Sequence, residues 1–338
     1  MNLNDNLRDS MAALCEMGLI ADGEQFCVRA LSGGVSCDVY EIRTDNQAYC
    51  VKRALPKLRV EAEWYAPAER GESEVAWMKL VGGIDARWAP EILGEDRARH
   101  LFVMPYFPPE KYPLWKTLLA QGTVDAGFAA KVGEALARIH SATAGRSDIA
   151  QAFANDAQFH ALRIEPYLLY TAEKHPAVAE RIHKIAQDVA GARIALMHGD
   201  MSPKNILCGP ETPVFLDAET CCYGDPAFDL AFCLNHLLLK CVWHPEYAAA
   251  YAESFAALTA AYFDNAGWEP RSDLEGRTVG LLSAFLLARI DGKSPVEYIT
   301  KDSDKNFVRA MARTFLRDNG LTLRELCVRW TRVLAVRQ

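Results

Sequence analysis

No stretch of this 338-residue chain is apolar for long enough to cross a bilayer: the best candidate, residues 281–288, is about ten residues too short. The first fourteen residues carry Asp5 and Asp9 and contain no apolar signal core. Neither a membrane span nor a secretory signal is therefore predicted. We expect a protein of the cytoplasm that does not act at a membrane.

Positive charge is also in short supply. The 37 lysines and arginines are outnumbered by 44 aspartates and glutamates, which gives a formal net charge of −7. Proteins that bind nucleic acids generally present net basic surfaces to the phosphates. The balance therefore predicts that nucleic acid is not a partner.

Paired cysteine motifs are missing as well. The chain has ten cysteines but no C-x-x-C spacing, and most of the cysteines lie inside apolar stretches. This pattern favours buried free thiols in a reducing compartment over disulfides or a zinc site. Internal repeats and low-complexity tracts are not apparent either.

The chain does contain ample material for a core. Half of its residues are hydrophobic and 24% are charged, which is typical of a globular protein. The length suits two domains, or one domain with two lobes. In the first hundred residues, short apolar runs separated by turn residues predict strands, and helical periodicity predicts two helices. The predicted elements are a helix over 3–18, strands over 25–31, 38–42, 48–53 and 101–104, and a helix over 68–80.

The pattern changes at residues 104–109, where three prolines in five residues indicate a linker or hinge. Beyond it, apolar residues recur every three or four positions. Helices are predicted over 128–145, 157–190, 226–242, 245–266, 274–290 and 304–318. The predicted fold class is therefore α+β, with a small antiparallel sheet domain at 1–106 and a larger, mainly helical domain at 107–338.

The segment from residue 196 to 230 contains the residues best suited to chemistry. Two apolar runs flank a turn at 209–210 and predict a β-hairpin, which would bring Asn205 at its entry near Asp217 at its exit. These residues offer the hard oxygen ligands that Mg²⁺ prefers. Asp200, five residues before Asn205, is placed to deprotonate an attacking hydroxyl. Each residue alone suits an ordinary turn or cap, but the ordered set predicts phosphoryl transfer.

The order His-Gly-Asp-x-x-x-x-Asn followed by Asp resembles the catalytic loop of the aminoglycoside-phosphotransferase and choline-kinase-like superfamily, whose members are relatives of the protein kinases. The resemblance implies a bilobal protein-kinase-like fold and the cofactors ATP and Mg²⁺. It implies that Asp200 is the catalytic base and that His198 braces the loop. It also implies that Asn205 and Asp217 bind Mg²⁺, assisted by Glu219.

Further parts of this resemblance follow the expected order. Asp229 would anchor the catalytic loop from the start of a buried helix. Lys52 lies on the strand where kinases keep the lysine that contacts the α- and β-phosphates. A turn between strands resembles the loop that covers the nucleotide, although Gly-Gly is also common in plain hairpins. The residues of this turn assigned to the nucleotide are Ser32, Gly33, Gly34 and Ser36.

The resemblance also implies a glutamate partner for the lysine and a hinge for adenine. Glu74 is assigned as the partner, with Glu72 and Glu63 as alternatives. Met104 and Tyr106 are assigned to the hinge that receives the adenine ring.

Residues 51–60, the hinge and the Asp-Ala-Glu at 217–219 resemble the 5-methylthioribose kinase family within this superfamily. The C-terminal half, which determines the acceptor, matches only loosely. A methylthioribose-like sugar, an amino alcohol of the choline, ethanolamine or homoserine type, and an aminoglycoside all remain open as acceptors. The acidic balance mildly favours a cationic one.

We therefore predict an ATP- and Mg²⁺-dependent kinase that phosphorylates a hydroxyl of a small metabolite. The alternative from another class is a pseudokinase, a nucleotide-binding module without catalysis. The complete set Lys52, Asp200, Asn205 and Asp217 favours the enzyme. Residues 319–338 carry a helical apolar stripe that either packs on the helical domain or forms a homodimer.

Three groups of charged residues in the helical domain have more than one interpretation or lie on a helix surface. The clusters at 163–167 and 289–293 border the acceptor pocket, form a solvated face or form internal ion pairs. Arg309, Arg313 and Arg317 recur every four residues opposite an apolar stripe, so we predict that they face solvent.

Overall fold

The computed structural model describes residues 3–21, 23–31, 37–55 and 68–337. The chain divides into two compact units, which we call unit 1 (Met1–Tyr112 with Phe215–Glu219) and unit 2 (Pro113–Val214 with Thr220–Gln338). This division differs from the predicted boundary after residue 106. The N–H of Tyr106 donates to the carbonyl of Ala48 at 3.0 Å, and the N–H of Phe215 donates to the carbonyl of Trp88 at 2.8 Å. These backbone bonds hold the proline-rich segment and a later segment to unit 1.

Unit 1 contains an antiparallel sheet. Its elements are α1 (Leu3–Glu16), β1 (Phe26–Ala30), β2 (Cys37–Thr44), β3 (Ala48–Ala54), α2 (Arg70–Ile84), β4 (Gly94–Asp96) and β5 (Leu101–Pro105). The strand order is β1-β2-β3-β5-β4, with every neighbouring pair antiparallel. The two predicted helices and four predicted strands of this region are confirmed. β4 escaped prediction because Gly-Glu-Asp shows no apolar alternation.

The core of unit 1 lies between α1 and one face of the sheet. Leu14 of α1 packs with Ile42, Val51 and Val103, and all four side chains are completely buried. β2, β3 and β5 supply these β-branched side chains, which suit a pleated surface. Burial of each contributes about 1.5–3 kcal/mol, so α1 forms where the sheet can cover its apolar stripe.

Unit 2 is mainly helical. Its α-helices are α3 (Trp115–Ala120), α4 (Ala126–Thr143), α5 (Ser147–Ala152), α6 (Asp156–Phe159), α7 (Tyr170–Lys174), α8 (Ala179–Gly191), α9 (Ala227–Trp243), α10 (Ala248–Asn265), α11 (Arg271–Asp291), α12 (Asp302–Arg317) and α13 (Leu323–Arg337). Four short strands lie between α8 and α9: β6 (Ala195–Met197), β7 (Ile206–Cys208), β8 (Pro213–Phe215) and β9 (Cys222–Gly224). β7 pairs with β8, as the predicted hairpin requires, and β6 pairs with β9.

The core of unit 2 is centred on α9. Apolar residues dominate this helix, and every residue from Ala227 to Val242 is buried. Phe228 and Phe232 contact Phe285 of α11 edge to face, with ring centroids 5.0 and 5.3 Å apart. α4 and α10 also pack closely: a Cβ on Gly133 would lie 2.2 Å from the carbonyl oxygen of Leu258. Glycine is therefore needed at this contact.

The prediction of one continuous helix over 157–190 is wrong. α6 runs into a π-helical segment (His160–Leu169), which is followed by α7, a 3₁₀ turn (Pro176–Val178) and α8. Pro166 lies inside the π-helical segment and has no N–H to donate, so the hydrogen-bond ladder shifts there. The second break falls at His175, which precedes a proline and has left the helical region.

The prediction that the arginines of α12 face solvent is wrong for two of the three. Arg309 donates from Nε and Nη2 to Asp291 at 2.8 and 2.6 Å. Arg313 Nη2 lies 3.0 Å from His175 Nδ1, and His175 Nε2 lies 3.0 Å from Asp291. Arg317 is exposed. The spacing identified the polar face of α12 but not the groups that pack against it.

Replacing Asp291 with asparagine should lower the free energy of unfolding by about 1–2 kcal/mol at neutral pH, because a paired carboxylate is lost. Burial raises the pKa of Asp291, but Arg309 and His175 outweigh it and hold this pKa below its ordinary value of 3.8. The stabilisation is therefore complete above pH 3.8 and is lost as the pH falls through the folded-state pKa. Partial exposure screens the pair, which keeps the effect modest.

Urea unfolding of both chains, from neutral pH down to about pH 2, checks this prediction. We expect the difference between the two chains to close in acid. A difference that stays constant over the whole range would contradict the assignment to the carboxylate.

The cysteines are free thiols, and seven of the ten are buried. Burial raises the pKa of Cys37 and of Cys50 to about 12, so neither thiol is ionised near neutrality. Across the described parts of the chain, no helix combines the length and the apolar character that a membrane crossing needs.

Candidate active site

The predicted catalytic loop lies in unit 2, where it leaves β6 and ends in a 3₁₀ turn (Pro203–Asn205) before β7. Asp200 and Asn205 are 4% and 5% exposed. Asn205 Nδ2 donates to the backbone carbonyl of Asp200 and to its Oδ2, both at 2.9 Å. The ring of His198 accepts the N–H of Asp200 through Nδ1 at 3.2 Å. The structure thus brings these three predicted residues into direct contact.

Asp229, at the start of α9, holds the loop. Its carboxylate is fully buried and accepts the backbone N–H groups of His198 at 2.6 Å and Gly199 at 2.9 Å. His140 Nε2 of α4 lies 3.3 Å from the same carboxylate. Gly199 has φ +78°, and a Cβ there would lie 2.3 Å from the carbonyl of Thr220. The turn before Asp200 therefore needs both the glycine and the carboxylate.

Two cations surround Asp200 that the motif did not reveal. Lys204 Nζ lies 2.9 Å and Arg163 Nη2 lies 3.3 Å from Oδ2 of Asp200. Arg163 also donates from Nε to the carbonyl of Gly199 at 2.6 Å. Lys204 could have been inferred, since it is four residues from Asp200 within the loop. Arg163 comes from the π-helical segment, and its sequence signal was only its membership of a charged cluster.

The lysine site of unit 1 is built from β3, α2 and residues 215–219. Lys52 Nζ donates to Glu74 Oε1 at 2.9 Å and lies 2.8 Å from Oε2. Lys52 also pairs with Asp217. Glu72, the alternative partner, is instead a partly exposed residue 3.7 Å from Arg97. Glu72 and Glu74 lie only two residues apart in α2, so the sequence does not show which of them faces Lys52. The packing of α2 on the sheet makes that distinction.

The pKa values at this site follow from burial and charge. Burial lowers the pKa of Lys52, but Asp217 and Glu74 outweigh it and hold this pKa well above its ordinary value of 10.5. Burial raises the pKa of Glu74 to about 7, although Lys52 opposes the rise. The cation of Lys52 is therefore firmly protonated and sits between two carboxylates.

The metal candidates of residues 215–219 differ in their surroundings. Asp217 has φ +67°, a conformation that only a few residue types tolerate and that often marks functional positions. Its side chain is 28% exposed, so it remains open to ligands. Glu219 accepts from Nε of the buried Arg70 at 2.9 Å and from the thiol of Cys37 at 3.8 Å. A metal bound at Glu219 would have to share this carboxylate with Arg70.

The predicted hinge residues continue the sheet. Met104 is buried and faces Cys50 in the β3–β5 ladder. The N–H of Tyr106 is bonded to Ala48, and its hydroxyl accepts from Nη2 of Arg29 at 2.8 Å. A hydrogen bond from Tyr106 to adenine cannot therefore use this N–H. The adenine assignment of both residues stays a prediction.

Two parts of the predicted site stay predictions. The nucleotide-covering turn with Ser32, Gly33, Gly34 and Ser36, and the alternative partner Glu63, lie outside the described residues. Asn205 and Asp217 belong to different units, so their proximity stays a prediction.

Residues 28–274 match the APH family model, described as "Phosphotransferase enzyme family". Among curated proteins, the chain is 25% identical over 230 residues to methylthioribose kinase 1 of Oryza sativa subsp. japonica, which corresponds to 60% of this chain and 53% of the relative. The chain thus spans about half the length of the curated relatives it matches.

Two solved structures show the fold. One is a choline/ethanolamine kinase family protein from Mesorhizobium loti, with a TM-score of 0.56, 16% identity, and coverage of 97% of this chain and 99% of that one. The other is the amicoumacin kinase hAmiN in complex with AMP-PNP, Ca²⁺ and Ami, with a TM-score of 0.59, 13% identity, and coverage of 96% and 97%. These likenesses confirm the predicted fold class, a protein-kinase-like fold with a small antiparallel sheet unit and a larger helical one.

Proposed function

The chain belongs to the phosphotransferase enzyme family APH, and we propose that it is an ATP- and Mg²⁺-dependent kinase acting on a hydroxyl of a small metabolite. The observation that carries the proposal is the buried carboxylate of Asp200, oriented by Asn205, Lys204 and Arg163 on a loop held by Asp229. A carboxylate fixed in this way suits a proton acceptor in phosphoryl transfer.

The proposed reaction is a direct transfer. The acceptor oxygen forms a bond to the γ-phosphorus while the bond from this phosphorus to the β–γ bridging oxygen breaks and ADP leaves. The hydroxyl proton passes to the carboxylate of Asp200. Lys52 neutralises negative charge on the phosphates, and Glu74 and Asp217 hold it in place. The AMP-PNP bound to the amicoumacin kinase supports a nucleotide as the donor.

Oxygen atoms suited to Mg²⁺ are available on this chain. The amide nitrogen of Asn205 is committed to Asp200, which directs its carbonyl oxygen away from that carboxylate. Asp217 contributes a partly exposed carboxylate. Both are hard oxygen ligands of the kind that Mg²⁺ accepts. We propose Asn205 and Asp217 as ligands, with Glu219 as an additional carboxylate. The metal would supply positive charge beside the phosphates.

The relatives are named for acceptors of different chemical classes, so they do not fix the acceptor of this chain. The rice relative is named a methylthioribose kinase, and the Mesorhizobium structure is named a choline/ethanolamine kinase family protein. A coupled assay of ADP release with 5-methylthioribose, choline, ethanolamine, homoserine and aminoglycosides tests the proposed activity. ATP consumption with an acceptor supports the kinase. Tight MgATP binding without consumption on any acceptor would favour the pseudokinase.

Replacing Lys52 with methionine should lower kcat/KM for ATP by about 10²–10³-fold, because a buried cation aimed at phosphate charge is lost. Steady-state kinetics with varied ATP, together with a thermal melt of each variant, checks this. The control is Lys79→Met on α2, since Lys79 is half-exposed and pairs only loosely with Glu95 at 3.2 Å. A well-folded Lys52→Met chain with unchanged kinetics would remove Lys52 from the nucleotide site.

A further inference from the structure

Among the buried hydrogen-bond donors of unit 2 that have no acceptor in the described residues, three belong to two cationic side chains and a phenol. They are Nζ of Lys240, Nε of Arg289 and the hydroxyl of Tyr298. Lys240 lies on the last turn of α9 and is 1% exposed, and Arg289 lies on the last turn of α11. Since most buried polar atoms in proteins have partners, three unsatisfied donors require an explanation.

The side chains that carry the three donors are neighbours in unit 2. Lys240 Nζ lies 5.0 Å from the ring centroid of Tyr298 and 4.9 Å from that of Trp243. These two rings stack with centroids 4.6 Å apart. The N–H of Val296, two residues before Tyr298, donates to the carbonyl of Arg289 at 2.8 Å, so Arg289 lies beside this segment. Burial raises the pKa of Tyr298, and the positive charge of Arg289 opposes this rise. We call Lys240, Arg289, Tyr298 and Trp243 the donor pocket.

The surroundings of the donor pocket are cationic. Burial lowers the pKa of the adjacent His236 well below its ordinary value, and four nearby charges lower it further. All four are cations: Arg289, Lys240, Lys204 and Lys116. Several positive charges close to a buried imidazole destabilise the folded chain unless an anion binds nearby and neutralises them.

The carboxylates in this region are already engaged. Glu297 pairs with Lys116 at 2.6 Å, and Asp200 pairs with Lys204 at 2.9 Å. Burial and the charge of Lys116 lower the pKa of Lys240 to about 8, even though Glu297 opposes them. Within the described residues, neither Lys240 nor Arg289 forms an ion pair with a carboxylate, so positive charge is in excess there.

Aromatic packing alone does not account for the pocket. Contact of Lys240 with the faces of Trp243 and Tyr298 is a cation–π arrangement that stabilises an ammonium. It supplies no acceptor to the Nε of Arg289 or to the hydroxyl of Tyr298. Both of these groups need an oxygen.

Arg289 offers an edge that suits a carboxylate. Its hydrogen bonds to other described residues all start from Nη1, and they reach the carbonyl and hydroxyl of Ser294 and the hydroxyl of Tyr167. The edge containing Nε is therefore left for a ligand. A guanidinium edge binds a carboxylate through two parallel hydrogen bonds.

The donor pocket is connected to the catalytic loop through one aromatic ring. The guanidinium carbons of Arg289 and Arg163 lie 5.8 and 5.7 Å from the ring centroid of Tyr167. Arg163 is the residue that pairs with Asp200. Arg163 and Arg289 thus contact the same ring, which places the donor pocket one aromatic side chain away from the residue that pairs with Asp200.

We infer that the donor pocket binds a carboxylate of the phosphoryl acceptor, so that the acceptor is a small hydroxy acid. This inference rests on the proposed kinase function and deepens it. It reverses the expectation of a cationic acceptor, because net charge averages over the whole surface whereas the side chains of the pocket are cationic. Methylthioribose, choline and ethanolamine offer no anion to these donors.

Matched pairs of acceptors that differ in the carboxylate test the inference. The pairs are glycerate with glycerol, gluconate with glucitol, and homoserine with 3-aminopropan-1-ol, all at equal ionic strength. For each compound, ADP release and the shift in melting temperature are measured with the full chain. We expect the acid of at least one pair to be phosphorylated and to stabilise the chain, and its partner to do neither.

Lys240→Met and Tyr298→Phe link the effect to the pocket. Methionine keeps the packing on the rings and removes a costly buried charge, so we expect Lys240→Met to fold. It should raise the KM or Kd of the acid by about 30-fold or more, because a buried charge partner is lost. Tyr298→Phe should raise it less. ADP affinity should not change in either variant, and Lys184→Met, at an exposed residue paired with Asp188, serves as the matched control.

Each outcome decides the matter. If acid and partner behave alike in every pair, including the case in which both are inert, the inference is overturned. It is also overturned if Lys240→Met binds the acid as tightly as the original chain. Acid binding that depends on Lys240 but occurs without any ADP release would instead overturn the kinase function and leave the carboxylate site standing.

Discussion

Replacing Asp200 with asparagine should lower kcat by about 10³-fold or more, because the amide cannot accept the acceptor's proton. Asparagine has nearly the same shape and keeps a carbonyl oxygen for Arg163 and Lys204, so the loop should retain its conformation. The affinity for MgATP should stay nearly unchanged, since the nucleotide contacts are assigned to other residues. The expected signature is a loss of kcat without a loss of nucleotide binding.

Two measurements separate these effects. ADP release under saturating ATP and acceptor gives kcat, and calorimetric titration with MgADP gives the nucleotide affinity. Asp188→Asn on α8 is a matched control, because Asp188 is exposed and pairs with Lys184 one helical turn away. If Asp200→Asn turned over at a rate comparable to the control, Asp200 would not be the catalytic base.

Replacing Asp229 with alanine should lower the free energy of unfolding by about 2–5 kcal/mol, because two buried N–H groups lose their acceptor. These are the N–H groups of His198 and Gly199. Asp229 itself is completely buried, so water cannot easily replace its carboxylate. Turnover should fall as well, since the released turn directly precedes Asp200.

Denaturant unfolding and amide hydrogen exchange at residues 198 and 199 check this prediction. Asp229→Asn keeps one carbonyl acceptor and should cost less than alanine. Asp264→Ala, on the exposed side of α10, controls for the loss of an acidic residue from the same unit. Unchanged exchange at both amides in Asp229→Ala would show that this carboxylate does not hold the catalytic loop.

Much of the fold was predictable because its signals are local. The period of apolar residues reflects which side of a helix or strand is buried, and it predicted α1, α2 and four strands of unit 1. It failed over 157–190, where Pro166 and the residue pair 175–176 break the helix although the periodic spacing of apolar residues continues. β4 failed for the opposite reason, because it has no pattern to detect.

The candidate site was predictable where its residues are close in sequence. The spacing of His198, Asp200 and Asn205 marked a single loop, and the structure confirms that these side chains touch. The partner of Lys52 was ambiguous, because Glu72 and Glu74 are equally near along the chain. Which one faces the lysine depends on how α2 packs on the sheet, and that is a property of the whole unit.

The sequence by itself determined the family, the fold class and the order of the catalytic motif, since these depend on residue types at short, regular spacings. Only the tertiary structure decided which side chains the charged residues contact across distant elements. It placed Arg163 on Asp200, paired Arg309 with Asp291, and set Lys240 against the ring of Tyr298. The reason is physical: in each of these cases the partners come from separate parts of the chain, and neither net charge nor short-range spacing identifies such partners.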